Sequence, residues 1–337
     1  MRNIYDLTIK ELEDYFISIN EKKFRAVQVY EALYKRRIKS FDDMTNISKE
    51  VREKLKQDFS FYKIKMLIKQ KGKNVNKYLF ELEDGNKIES VLMFHDYGTS
   101  ICVSSQVGCN MTCAFCESGR LKKVRNLLAY EIVQQILQIE EDINKRITHV
   151  VLMGIGEPFD NYDNVLRFVK IINCGQGIDI GSRHITISTC GVIPGIKKFM
   201  NEEGQVNLAI SLHAPNNALR SRIMPINKAY PLNELMETIK EYINKTNRRV
   251  TFEYIMLDNV NDSEENAKEL ALLLKGINCY VNLIPYNETE NIEFKRTKEW
   301  KIMKFYDILK KNKINVTIRK EFGGSVDAAC GQLRANN

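Results

Sequence analysis

The sequence predicts an α/β protein in which strands and helices alternate along most of the chain, behind a helical N-terminal segment and a small antiparallel β extension. Three observations carry this expectation. From residue 99 onward, short apolar runs alternate with longer amphipathic segments, the pattern of a parallel sheet that is open or closed into a barrel. The first sixty residues instead keep apolar side chains at helical spacing. Between Tyr62 and Phe94, three strand-like runs are separated by Lys71-Gly-Lys and Asp84-Gly-Asn, both good turn sequences.

Each element follows from its local pattern. Leu7, Leu12, Tyr15, Phe16 and Ile19 mark a first helix, and Val27, Val29, Tyr30, Leu33 and Tyr34 a second. Ser40-Phe-Asp-Asp-Met is a break, after which Ser48 restarts a helix through Phe59. The strand runs Ile64-Lys-Met-Leu-Ile, Tyr78-Leu-Phe-Glu-Leu and Ile88-Glu-Ser-Val-Leu-Met form the antiparallel unit. Six apolar strands then begin at Ile101, Ile147, His184, Val206, Val250 and Tyr280, with Val316-Thr-Ile-Arg a further candidate. Helical stretches at 128–142, 161–173, 233–244 and 264–274 lie between them. The expected organisation is a helical accessory domain over 1–61, a β extension over 62–95, the α/β unit over 96–320 and a C-terminal loop over 321–337.

Composition narrows the class. The chain has 337 residues, 44% of them hydrophobic and 28% charged, which suits a folded globular protein and argues against disorder. No run approaches the roughly 18 apolar residues of a membrane span, and acidic residues stand where a signal peptide needs an apolar core. A cytoplasmic protein away from membranes is expected, and nothing suggests an extended interface helix, so a monomer is expected too. Its eight cysteines then read as reduced thiols, and close spacing among them points to metal or redox chemistry. The net charge is +8, a balance that suits an anionic partner and is shared by many unrelated proteins. Lys22, Lys23, Arg25, Lys35, Arg36, Arg37 and Lys39 interleave with Tyr30, Tyr34 and Phe41. They form either a solvated helical face or a nucleic-acid contact surface.

The strongest chemical signal is Cys109-Asn-Met-Thr-Cys113-Ala-Phe-Cys116, directly after a strand. Three thiolates so spaced can hold an iron–sulfur cluster while leaving one iron without a cysteine ligand. A structural zinc site would need a fourth close ligand, and the nearest histidine after the motif is His149. In α/β sheets chemistry gathers at the carboxyl ends of strands, which is where this loop falls.

This CxxxCxxC, with an aromatic residue before its last cysteine, is similar to the cluster motif of the radical S-adenosylmethionine (SAM) superfamily. The resemblance implies a partial (β/α)6 barrel, a [4Fe-4S] cluster on Cys109, Cys113 and Cys116, and SAM chelated by the open iron. Met153-Gly-Ile-Gly-Glu157-Pro158 resembles the element that contacts the SAM amino group, which assigns Gly156 and Glu157 to SAM. Ser188, Ser211, Leu212, His213 and Asn287, at or near the ends of later strands, are further SAM contacts by the same resemblance. Singly, residues in such positions are more often turn or capping residues.

Further motifs narrow the family. Lys23-Phe-Arg-Ala, Met44-Thr-Asn-Ile-Ser, Ile187-Ser-Thr-Cys-Gly, Ser211-Leu-His-Ala-Pro, Met224-Pro-Ile-Asn-Lys, Asn282-Leu-Ile-Pro-Tyr-Asn287 and Asp327-Ala-Ala-Cys330-Gly-Gln-Leu333 together resemble the RlmN family of RNA methyltransferases, almost end to end. That family methylates carbon 2 of an adenine in 23S rRNA and in tRNA. The resemblance implies two SAM molecules per turnover: one methylates Cys330, and the other yields the radical that activates this methyl group. The methyl carbon then joins the base in a covalent RNA adduct. Cys102 would take part in removing the ring proton and then resolve the adduct through a disulfide with Cys330. Glu89 matches the family's proton acceptor, so either a cysteine or this carboxylate moves the proton. An electron donor of flavodoxin or ferredoxin type is implied as well. A Cfr-type enzyme, which methylates carbon 8, would share every cysteine. Glu117 departs from the pattern, since relatives usually carry a small residue there, and this puts local loop contacts in doubt. Without the resemblance, Cys102 reads equally well as a small buried hydrophobe, Cys330 as an incidental thiol, and Glu89 as an exposed strand carboxylate.

Overall fold

The computed structural model describes residues 1–289, 291–319 and 332–333. The chain opens with strand β1 (Arg2–Asn3), helices α1 (Ile9–Ser18), α2 (Phe24–Tyr34) and α3 (Lys49–Asp58), and strand β2 (Phe59–Ser60), which pairs parallel with β1. Thr8 caps α1: its hydroxyl accepts the Glu11 backbone N–H while the Glu11 carboxylate accepts the Thr8 N–H. Ser48 caps α3 in the same way through the Val51 N–H.

Three antiparallel strands follow, β3 (Lys65–Gly72), β4 (Val75–Glu81) and β5 (Lys87–His95). The next strand, β6 (Gly98–Cys102), pairs antiparallel with β5. It is followed by the short pair β7 (Gln106–Val107) and β8 (Arg125–Asn126), then α4 (Ala129–Ile143), β9 (His149–Leu152), α5 (Tyr162–Asn173), β10 (Ile185–Thr189) and α6 (Ile193–Phe199). Strand β11 (Asn207–Ser211) leads into α7 (Asn217–Ile223) and α8 (Leu232–Thr246). The series ends with β12 (Val250–Met256), α9 (Glu264–Leu273), β13 (Cys279–Pro285), α10 (Glu299–Lys311) and β14 (Val316–Ile318).

Across the main sheet the order is β14-β13-β12-β11-β10-β9-β6-β5-β4-β3. Strands β6 and β9 to β14 run parallel in chain order, which is the expected succession of strand–helix units, with β14 added at the far edge. Residues 65–95 continue the same sheet as three antiparallel strands. The structure also contains α6, α7 and α10, which the sequence pattern did not single out. Two of them are only seven residues long, too short to express a clear period. Val150, Leu152, Ile187, Leu208, Ile210, Phe252, Val281 and Leu283 are buried between sheet and helices. Among the described residues, no helix is long and apolar enough to cross a membrane.

The helical N-terminal region packs on α4 and α5, on the outside of the barrel. Tyr30 and Tyr34 are buried, and their hydroxyls donate to the carbonyls of Leu7 (3.1 Å) and Tyr5 (3.2 Å). Gly177 lets the chain after α5 press against these rings, since a β-carbon there would lie 3.1 Å from Tyr30. Charged pairs complete the junction. Glu11 is held by Arg2 and Arg167, and Arg37 pairs with Glu140 on α4.

Candidate active site

The three cysteines sit on a loop that leaves β6, pairs with itself through β7 and β8, and returns to α4. Gly108 makes this return feasible. Its φ is +72°, and a β-carbon would fall 2.0 Å from the Lys122 carbonyl oxygen. The Cys109 N–H donates to Leu121 O (3.0 Å), the Cys116 N–H to Cys113 O (3.1 Å), and the Ala114 N–H to Ile223 O at the end of α7 (2.9 Å). Thr112 adopts a left-handed backbone at φ 48°, a strained conformation for a β-branched residue. Cys109, Cys113 and Cys116 all line one cavity at the carboxyl ends of the parallel strands. Burial pushes the Cys109 thiol up to about 12 and raises the Cys113 thiol as well. Among the described residues, no three His, Cys, Asp or Glu side chains converge on a point that could hold a single metal ion. A zinc site requires that convergence, whereas a cluster gives each thiolate its own iron.

The turn after β9 forms the facing wall. A β-carbon on Gly154 would lie 2.7 Å from the backbone of Val103 and Ser104, and one on Gly156 (φ +110°) would lie 2.6 Å from the Gln106 side chain. Both glycines therefore permit a close approach of this turn to the cysteine-bearing segment. The Ile155 N–H donates to Ser104 Oγ (3.0 Å), and the Glu157 N–H to Gln106 Oε1 (2.9 Å). Glu157 is buried, which raises its carboxyl above the ordinary value. Its Oε1 accepts the Phe159 N–H (2.9 Å), and its Oε2 accepts the Cys190 N–H (2.8 Å). The Cys190 and Thr189 side chains also bond this carboxyl, so Glu157 fixes two loops while lining the cavity.

Ser188, Ser211 and His213 line the same cavity from β10 and from the end of β11. His213 has φ 58°, and its Nδ1 accepts the Ile255 N–H (3.0 Å), which places the ring proton on Nε2. Burial, with Arg220 adding to it, lowers His213 to about 3, so the imidazole is neutral at physiological pH. Leu212 points elsewhere: it is fully buried in the main core, and its backbone N–H donates to Glu253 O. Asn287, half-buried beyond β13, is likewise absent from the described residues lining the cavity. The three thiols on one wall, the glycine turn opposite and the polar strand ends fit a cluster with a polar cosubstrate beside it.

Comparison with known proteins agrees with this geometry. A family model for the ribosomal RNA large subunit methyltransferase N-terminal domain matches residues 2–60, and one for the radical SAM superfamily matches residues 103–271. A probable dual-specificity RNA methyltransferase RlmN of Spiroplasma citri is 53% identical, covering 100% of this chain and 98% of its own length. The Enterococcus faecalis protein of the same description is 54% identical over 99% of this chain and 96% of its own. The chain belongs to the RlmN family. A crystal structure of a radical SAM methyltransferase from Sphaerobacter thermophilus superposes over 100% of both chains, with a TM-score of 0.94 and 40% identity. Streptococcus suis SuiB bound to S-adenosylmethionine shares the fold alone, at 16% identity and a TM-score of 0.51, over 67% of this chain and 51% of its own.

Two further expected residues of this RlmN-family chain, Cys102 and Glu89, lie on the paired strands β6 and β5. Cys102 ends β6 and is buried among Val75, Val91, Met93, Ile155 and Leu333. Glu89 is not an exposed strand carboxylate: it is 3% exposed and paired with Lys77 at 2.8 Å. The register Val91↔Cys102, with side chains alternating along β5, puts Glu89 on the sheet face of Cys102. Cys330 lies outside the described residues. Leu333, three positions later, packs beside Cys102, and its carbonyl accepts the Ser118 hydroxyl at 2.6 Å.

Sequence reasoning passed over four groups here. Cys190 lines the cavity, and Arg220 lies behind it with its side chain fully buried. Glu253 on β12 reaches the cavity with Oε2 making no hydrogen bond among the described residues, while its Oε1 accepts from Asn282 (2.9 Å). Arg319, one residue beyond β14, stands 3.9 Å from that oxygen. Glu253 and Arg319 follow the rule that chemistry gathers at strand ends, which could have flagged them. Arg220 sits mid-helix and carries no such mark.

Proposed function

We infer that this chain is a radical SAM RNA methyltransferase of RlmN type that methylates carbon 2 of an adenine in 23S rRNA and in tRNA. The observation that carries this reading is the near-full-length likeness to dual-specificity RNA methyltransferases, joined to a three-thiol loop facing Gly156 and Glu157 across one cavity. Cys109, Cys113 and Cys116 would hold the [4Fe-4S] cluster, and the Glu157 carboxylate with Ser188, Ser211 and His213 would orient SAM against it. Bound there, cluster and SAM supply a hydrogen-abstracting radical once an electron arrives from a donor of flavodoxin or ferredoxin type. The protein's own part is to carry the methyl group on Cys330, to accept the ring proton at Glu89, and to release the product by joining Cys102 to Cys330 as a disulfide. Leu333 supports that pairing, because three residues of extended chain span at most about 11 Å.

The N-terminal region is proposed to contact RNA backbone through its exposed cations. Lys35 and Arg36 are exposed, their side chains bonded among the described residues only to Glu31 and Asn46 of the same region. Arg37 is instead committed to Glu140 on the barrel.

Anaerobic reconstitution followed by turnover on unmodified rRNA and tRNA tests the reading, with methyladenosine isomers resolved by mass spectrometry. 2-Methyladenosine is expected. 8-Methyladenosine would overturn the assigned carbon, and SAM cleavage without either product would overturn the RNA substrate.

A further inference from the structure

We propose that Arg220 is the buried counter-charge of the thiolate-held cluster, placed to make the cluster easier to reduce. The proposal rests on the reading that Cys109, Cys113 and Cys116 hold that cluster. Arg220 is 0% exposed, and a wholly buried cation is strongly disfavoured unless an anion accompanies it. Its hydrogen bonds all run to neutral oxygens: Nε to Leu212 O (3.2 Å), Nη1 to Asn227 Oδ1 (3.0 Å), and Nη2 to Cys190 O (2.6 Å) and Ser211 O (3.2 Å). These four contacts use four of its five N–H donors, and among the described residues they leave its charge unmatched. Glu157 lies across the Cys190 residue, accepting the Cys190 N–H while Arg220 donates to the Cys190 carbonyl. In the proposed site that carboxylate already serves the SAM amino group.

The missing anion lies on the cavity side. Helix α7, which carries Arg220, is bonded to the cysteine loop through Ala114 N–H and Ile223 O, three residues beyond Arg220 on one side and next to Cys113 on the other. Cys113 and Cys190, both lining the cavity, are the groups whose negative forms would stabilise the guanidinium. Three thiolates on a [4Fe-4S] core leave a net negative charge, which grows when the cluster takes an electron. Arg220 thus gains its partner only in the loaded protein, and most fully in the reduced state. A plain strand-end clamp, holding the carbonyls of residues 190, 211 and 212, would show no such dependence on the electron.

The test compares wild type with Arg220→Lys, Arg220→Gln and Asn227→Asp. Each is reconstituted with iron and sulfide, analysed for both elements, and titrated for cluster midpoint potential without SAM or RNA. Asn227→Asp matters because it cancels the charge of Arg220 while leaving the Arg220 bonds to the carbonyls of residues 190, 211 and 212 in place, at the loss of the Asn227 Nδ2 bonds to Asn217 and Ser221. The proposal therefore stays testable if Arg220→Gln does not fold. Arg220→Gln and Asn227→Asp are expected to disfavour reduction at least tenfold, a fall of 59 mV for a one-electron couple, and Arg220→Lys to stay near wild type. The rise in melting temperature on cluster loading is expected to shrink in the two charge-cancelling variants alone. Unshifted potentials in both at full cluster content would overturn the proposal, as would an equal shift in Arg220→Lys. Failure of wild type to take up iron and sulfide would instead remove the cluster reading beneath it.

Discussion

The N-terminal helical region and the barrel mouth treat their charged groups in opposite ways. In the N-terminal region charges find charges: Glu11 meets Arg2 and Arg167, Arg37 meets Glu140, and Lys56 meets Asp42 and Glu53. At the mouth, among the described residues, Arg220 is bonded only to neutral oxygens, Glu253 keeps one oxygen without a hydrogen bond, and three thiols share one wall. The first arrangement is complete within the protein and secures one region to another. The second is complete only with something added, which is how binding and catalytic sites differ from struts.

The comparison can be broken most severely at the mouth. Cys113→Ala is expected to abolish both cluster uptake and RNA methylation while the apo-protein still folds, as judged by iron analysis, product mass spectrometry and circular dichroism. Full methylation by that variant would detach the mouth from the chemistry. Gly156→Ala comes next: its β-carbon would collide with Gln106 at φ +110°. A loss of about 2–3 kcal/mol in denaturant unfolding is expected, with weakened SAM binding because Gln106 also holds the Glu157 N–H.

The junction should respond to acid rather than to SAM. Burial opposes ionisation of Glu11, yet Arg167, the Thr8 N–H and Arg2 outweigh it and hold the carboxyl near 2, against 4.5 ordinarily. A depressed carboxyl contributes stability above its unfolded value and loses it as pH falls through the folded one. Wild type should therefore lose about 1 kcal/mol more than Glu11→Gln between pH 5 and pH 2, after discounting for solvent screening. Parallel pH profiles would show that the pair does not secure the junction. The smallest effect on folding is expected for Lys35→Glu with Arg36→Glu, within about 0.5 kcal/mol. If these exposed cations meet phosphate, RNA affinity falls and the salt slope drops by about 1.5. Filter binding across a salt series would decide it.

Much of the barrel was legible because its signals are local. Strand–helix alternation shows in apolar periodicity, and Cys109, Cys113 and Cys116 declare themselves by spacing alone. Glu157, Ser188, Ser211 and His213 line one cavity because each follows a strand, and strand ends converge at the mouth. Leu212 shows where that reasoning fails: it lies between two cavity residues, and its side chain turns into the core. The burial of Glu89 was hidden for a different reason. Its pairing with Lys77 depends on strand register, which no run of apolar residues reveals. Arg37 reads as one cation among neighbours until the docking of the helical region supplies Glu140.

By itself, then, the sequence determined the α/β succession, the three-thiol loop, the glycine turn and the family, because hydrophobic period, ligand spacing and turn chemistry act over a few residues. Only the tertiary structure decided which charges are matched and which are left over. It paired Arg37 with Glu140 and buried Arg220 behind Cys190 and Ser211, bringing together residues distant in the chain. Burial sets the energetic weight of a charge, and burial is a property of the packed molecule.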